Sequence, residues 1–322
     1  MIDCMRGPLF ILVAAIAWGL EYPLMTSATR AVGMPVTGAC LFVVSSLLLG
    51  ASLLARHAYM GRTGKANPWP GWSALSPTLL VGAFGITANL TGLQGASLTT
   101  PVNMAALARS DVLFSLLISV LVFRERIARQ AYLFVPVMLL GACLLVGVFR
   151  GAMEAASIGD GLVLISAFFV AANAFAAQRA LRRLNGLAVG FMNCTLNAVM
   201  FVVVVGCTDS LSAIPAALRG ETGMALIGLG VLAYIFFACY NVGLRTCPAW
   251  EARLICLLAP VVAAVVSWGF QGKSPESGQI PGMLLILLGA AGIVWLRAGR
   301  ATAAEAAPAS SEMCAATERE ST

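Results

Sequence analysis

Charge is the scarcest commodity in this sequence. Of its 322 residues only 11% are Asp, Glu, Lys or Arg, against about 25% in an ordinary soluble protein. Histidine occurs once, as His57, at the end of an apolar run among basic residues. No histidine-based metal cluster or catalytic triad can be assembled from it. The nine cysteines are scattered, with no C-x-x-C pair. Most lie in apolar runs, where cysteine behaves as a small hydrophobe, so neither a disulfide framework nor a metal site is expected. The metalloprotease and nucleophile-elbow motifs, H-E-x-x-H and G-x-S-x-G, are also missing. What is plentiful is apolar: 60% of the residues, with a mean hydropathy of +0.90. That content supports about nine or ten membrane spans of about 20 residues. It excludes a soluble globular enzyme, a disordered scaffold and a secreted disulfide protein.

Apolar runs bounded by Gly, Pro or charge occupy 8–28, 37–55, 76–95, 101–122, 131–149, 160–178, 187–206, 224–244, 250–270 and 279–297. Their length predicts helices, because barrel strands would show ~10-residue alternating segments. The first run resembles a signal peptide, with Arg6 ahead of it and Ala15-Ile16-Ala17 inside it. It continues past that site, so an uncleaved span is expected. With the N-terminus in the cytoplasm, that side receives Arg6, Arg56, Arg62, Lys65, Arg124, Arg126, Arg129, Arg179, Arg182, Arg183, Arg245, Arg297 and Arg300. The other side receives only Arg30, Arg150, Arg219 and Lys273. This positive-inside bias predicts both termini in the cytoplasm. The formal net charge of +6 is therefore topological. No clustered basic face is left for a nucleic acid. The tryptophans of the loop 57–75 are expected at headgroup level, and the Ala-rich tail 299–322 reads as a disordered cytoplasmic extension.

A shift of 149 residues overlays the two halves. Asp111 falls on Pro260, Gln130 on Gln279, and Ala108-Arg109-Ser110-Asp111-Val112 on Leu257-Leu258-Ala259-Pro260-Val261. Five spans per half is an odd number, so the second half enters the membrane inverted, as in alternating-access transporters with a midplane site at the repeat interface. The expected fold is an all-α integral membrane protein. Ten transmembrane helices form two inverted five-helix repeats, 1–150 and 151–298.

Several short motifs stand in order along 8–297. Ala17-Trp18-Gly19 resembles the A-W-G opening of the EamA family of the drug/metabolite transporter superfamily. Leu121-Val122-Phe123-Arg124-Glu125-Arg126, followed by Gln130, resembles its L-x-L-G-E-R stretch. Gly159-Asp160-Gly161 resembles the G-D opening of its second half, and Leu257-Leu258-Ala259-Pro260-Val261 its L-x-x-P-V. The sequence departs from that pattern at Arg124 (usually Gly), Asp111 (usually Pro) and Glu21 (commonly neutral). The resemblance implies a transporter of small metabolites in a bacterial inner membrane, often an exporter of amino acids or related compounds. It names no substrate.

A charge in hydrocarbon costs at least ~2.5–3.5 kcal/mol, so each one needs a reason. Glu21, Arg109 and Asp111 are the deep ones. Trp18, Glu21, Tyr22 and Met25 share one face of the first span, and Pro23 frees the Gly19 carbonyl beside Glu21, predicting a kink. This strip suits a substrate amine or a proton, or else Glu21 neutralises a buried arginine. Arg109 and Asp111 point about 200° apart around a helix. A wide cavity centred on Ser110, with Asn103 on the same strip, could hold both. Alternatively Arg109 pairs with Glu21 and leaves Asp111 for another helix. Thr87, Thr91 and Gln94 share a face of span three, with Asn89 off it. Asn193 and Asn197 pair on span seven, Tyr234 and Asn241 on span eight, and Asn173 falls near the repeat mate of Glu21. Each could serve interhelical hydrogen bonding alone; together they point to a polar cavity. Glu251 and Arg253 read as an interfacial pair or cytoplasmic gate.

The expected function is secondary active transport, outward, of a small polar or amphipathic, amino-acid-like metabolite. No cofactor is expected. The partners are substrate, membrane lipid and protons as coupling ion, the oligomeric state being open. Protonation of Glu21 or Asp111 is the simplest coupling device, since it removes the charge that is costly to bury. A proton-coupled multidrug exporter of lipophilic cations would use Glu21 with Trp18 and Tyr22. A non-transporting membrane subunit or embedded enzyme is the third class.

Overall fold

The computed structural model describes residues 2–62, 72–99, 107–124, 131–146, 157–208, 211–220, 222–271, 279–292 and 295–296. Asn103, the loop 63–71 and the tail from 297 lie outside them. Every regular element among the described residues is a helix. The order is α1 (Ile2–Val32), α2 (Met34–Arg62), α3 (Trp72–Leu98), α4 (Ser110–Leu121), α5 (Ala131–Val146), α6 (Ile158–Ala180), α7 (Gly186–Thr208), α8 (Ala213–Arg219), α9 (Gly223–Gly243), α10 (Ala249–Cys256), α11 (Leu258–Gln271) and α12 (Gln279–Gly292). Among the described residues six stretches are long and apolar enough to cross a bilayer: Arg6–Val32, Met34–Arg62, Ile158–Ala180, Gly186–Thr208, Gly223–Gly243 and Ala249–Gly269. Shorter apolar helices lie at Ser110–Leu121, Leu133–Leu144 and Gln279–Gly292. The outward faces are apolar: Leu9, Leu47, Leu133, Val203 and Leu288 are all more than half exposed. This inversion of the soluble pattern fits a multi-pass membrane protein, as the helix composition does.

Lipid tails are as apolar as leucine, so helices here associate through close approach and interhelical hydrogen bonds. Glycine provides the approach. A Cβ on Gly19 would meet the Ala259 carbonyl at 2.6 Å, seating α1 on α11. One on Gly141 would meet the Gly282 carbonyl at 2.7 Å, seating α5 on α12. The principal helix contacts are α3 with α6, α2 with α7, α1 with α9, α2 with α9, α3 with α7, α1 with α10 and α11, and α4 with α6 and α10. Under the 149-residue shift α3–α6 exchanges with α1–α9, α2–α9 with α3–α7, and α1–α11 with α4–α6, while α2–α7 maps onto itself. On the α2–α7 contact the Ser46 and Thr195 hydroxyls, themselves 149 residues apart, hydrogen-bond at 2.7 Å.

Two details depart from the sequence expectation. The run 250–270 is not one regular helix: it is interrupted at Leu257, between α10 and α11. Pro260 sits in the first turn of α11, where its missing N–H costs nothing, and cannot donate to the Cys256 carbonyl that a continuous helix would offer it. In the first half, Arg109 stands at a turn before α4. The two interruptions occupy nearly equivalent positions in the repeat. Pro23, by contrast, lies inside α1 with no break.

The motif Gly159-Asp160 proves to be architectural. Ser157 and Asp160 form a capping box at the start of α6, with the Asp160 N–H donating to Ser157 Oγ at 3.2 Å and the Ser157 N–H to Asp160 Oδ2 at 2.9 Å. Asp160 Oδ1 also accepts from the Thr99 hydroxyl at the end of α3. A side chain on Gly159 would collide with the backbone of Leu98 and Thr99. The motif thus ties the second half to the first.

Candidate functional site

A cavity of about 330 Å³ lies between α1, α2, α3, α6, α7, α9 and α10, at the lower end of the ~300–1,000 Å³ of small-molecule sites. Both halves line it. The α1 strip predicted from spacing faces it, with Trp18, Glu21, Tyr22 and Met25 all on the wall. Trp18 stacks on Tyr22 at 6.0 Å between centroids and tilts against Phe236 of α9 at 5.5 Å. Glu21 is buried, and among the described residues its Oε1 has no hydrogen-bond partner.

The polar wall comes from amides. Asn89, Asn173, Asn193 and Asn241 all line the cavity. Asn89 donates to Asn197 Oδ1 at 2.6 Å, and Asn197 donates to the Asn193 carbonyl at 2.9 Å. Asn173 donates to the Val81 carbonyl at 2.6 Å. This cluster ties α3 to α6 and α7 where Gly85 leaves room: a Cβ there would meet Asn193 Oδ1 at 2.6 Å. Thr87 and Thr91 instead bond carbonyls of their own helix and lie outside the cavity lining.

The deep charges sort differently from expectation. Arg109 does not pair with Glu21. Its Nη2 donates to the Tyr22 hydroxyl at 3.1 Å, and its guanidinium lies 5.9 Å over the Trp18 ring. It therefore stands behind the aromatic strip of α1 rather than on the cavity surface. Asp111 is buried and faces Arg253, with Oδ2 and Nη1 3.7 Å apart. Ser110 does not line the cavity, so the cavity is not centred there. The physical reason is the turn at Arg109, which separates the three residues from the regular helical projection assumed for them. Tyr234 is also off the cavity: its hydroxyl meets Ser52 of α2 at 2.9 Å.

Arg253 is the residue that sequence reasoning misplaced. It is buried and lines the cavity, donating from Nη2 to the Val170 carbonyl at 2.9 Å and lying 5.3 Å over the Tyr240 ring. Glu251 is not its partner; Asp111 is. The interruption at Leu257 had no signal in a plain hydropathy count, and it breaks the single regular helix on which Arg253 was placed. Tyr240, Phe236 and Phe237 of α9 were likewise invisible as a site, since aromatic residues at helical spacing are ordinary packing material.

A model of the EamA-like transporter family matches residues 5–147 and again 157–295. The chain belongs to the EamA-like transporter family. That family is part of the drug/metabolite transporter superfamily, and its members are transporters. No match is found among curated proteins. A crystal structure matches the fold with a TM-score of 0.76 at 20% identity, over 90% of this chain and 98% of that one. For this EamA-like chain the A-W-G motif acquires a division of labour. Ala17 packs in the core, Trp18 lines the cavity and Gly19 lets α11 close against α1. Among the described residues no three His, Cys, Asp or Glu side chains are grouped to hold a metal.

Proposed function

We propose that this chain is a secondary active exporter of a small polar or amphipathic, amino-acid-like metabolite, working by alternating access. Ten spans in two inverted repeats, 1–150 and 151–298, would enclose the site, with both termini in the cytoplasm of a bacterial inner membrane. The observation that carries the reading is the cavity itself. It is of small-molecule size, lies between the two halves, and combines an aromatic strip, an amide wall and a buried carboxylate whose Oε1 has no hydrogen-bond partner among the described residues. The Ser46–Thr195 contact and the exchange-invariant helix pairing support the inverted repeat. Arginine distribution supports the topology.

Glu21 serves as the proton-coupling group in this reading. A buried carboxylate with an oxygen lacking a hydrogen bond is costly while charged, and proton uptake or contact with a substrate amine each relieves that cost. Competition between the two couples proton entry to substrate exit. Glu21→Gln in proteoliposomes is expected to abolish pH-gradient-driven flux while leaving the purified protein folded and monodisperse. Undiminished proton-driven flux in that variant would refute the coupling. The alternative of a lipophilic-cation exporter is disfavoured by Arg253 on the same cavity wall.

A further inference from the structure

Four buried polar atoms have no hydrogen-bond partner among the described residues: Glu21 Oε1, Asp111 Oδ1, Tyr240 Oη and Arg253 Nε. The last two belong to side chains that line the cavity and stand together, the Arg253 guanidinium 5.3 Å over the Tyr240 ring. Both are donors. A guanidinium carries five N–H groups in a planar fork, and among the described residues this one has a single hydrogen-bond acceptor, the Val170 carbonyl. Its ionic partner Asp111 stays at 3.7 Å, beyond a hydrogen bond. Asp111, in the first turn of α4, stands two residues after a second guanidinium, that of Arg109. One carboxylate thus stands near two arginines, and of these the buried one that faces the cavity, Arg253, is under-satisfied among the described residues.

We propose that Arg253, with the Tyr240 hydroxyl, is where the cavity takes the oxyanion of its substrate, the carboxylate of a small amphipathic monoanion or zwitterion, and that this oxyanion takes over the place of Asp111, which then turns to Arg109. The exchange trades a loose contact for a bidentate one, the geometry a guanidinium fork favours. It also undoes the ion pair that joins α4 to α10, the helices flanking the interruptions at Arg109 and Leu257. A ligand shifts an equilibrium only through differential contacts in the two states, and this swap provides one. The inference rests on the cavity being the transport site proposed above.

Phenylacetate and its neutral isostere phenylacetamide test it by direct binding to the purified full-length protein. Wild type is expected to prefer phenylacetate by at least about tenfold, or 1.4 kcal/mol. Asp111→Asn, which removes the internal rival, tightens phenylacetate binding while Arg253→Gln abolishes it. Arg253→Lys retains the charge without the fork and falls between wild type and Gln. Equal affinity for the two probes, no saturable phenylacetate binding to Asp111→Asn, or parallel losses in Asp111→Asn and Arg253→Gln would each overturn the proposal. Should Asp111→Asn fail to fold, the comparison of the two probes on wild type and Arg253→Lys decides it. Anion selectivity without proton-driven flux sinks only the coupling reading; flux without anion selectivity sinks only this inference.

Discussion

At the scale of single residues, Arg124 is the most exposed inconsistency between sequence and backbone. It follows α4 with φ of +52°, and among the described residues it is the non-glycine with positive φ. The left-handed region costs an L-residue roughly 1–2 kcal/mol, and glycine enters it freely. The family motif has glycine at this position, so the departure noted from sequence coincides with local strain. Arg124→Gly is expected to raise the thermal midpoint in detergent, by an amount equivalent to about 1 kcal/mol less the entropy glycine loses on folding. An unchanged or lower midpoint would mean that Arg124 makes a compensating contact. The α1 residues were legible at this scale because Trp18, Glu21, Tyr22 and Met25 follow the period of one unbroken helix. Arg253 and Asp111 were not, since their meeting depends on two interruptions that no local period announces.

At the scale of elements, the packing rests on glycine. Gly85→Ala pushes a methyl group into the amide ends of Asn193 and Asn197, and overpacking of this kind costs about 1–3 kcal/mol. Gly61→Ala, where nothing lies within 4 Å, is expected to be neutral or slightly stabilising, as alanine is the better helix former. Thermal unfolding of the two variants in one detergent separates packing from propensity. Equal behaviour would show that the α3–α7 approach tolerates a side chain. The capping box of α6 gives a second element-scale test. Asp160→Ala removes both its half of the box and the acceptor for Thr99, and is expected to cost about 1–2 kcal/mol. Unchanged stability would argue against the tie between α3 and α6.

At the scale of the whole molecule, the inverted repeat makes a topological prediction. Arg30 at the end of α1 and Arg179 at the end of α6 are related by the 149-residue shift, and both are exposed. In a background lacking the nine cysteines, Arg30→Cys and Arg179→Cys are expected to react with a membrane-impermeant thiol reagent from opposite faces. Labelling of both from one face would exclude the inverted arrangement. The family itself, the helical class and the membrane setting follow from the sequence alone. Burying so few charges among so many apolar residues leaves hydrocarbon as the one suitable solvent, and arginine counts set the expected orientation. The partners of the scarce deep charges were decided by tertiary structure. Arg109 goes to Tyr22, Asp111 to Arg253, and among the described residues Glu21 stands without a hydrogen bond on Oε1. Hydropathy and period are properties of one helix at a time, whereas an ion pair is settled by where two helices break and how closely glycine lets them approach.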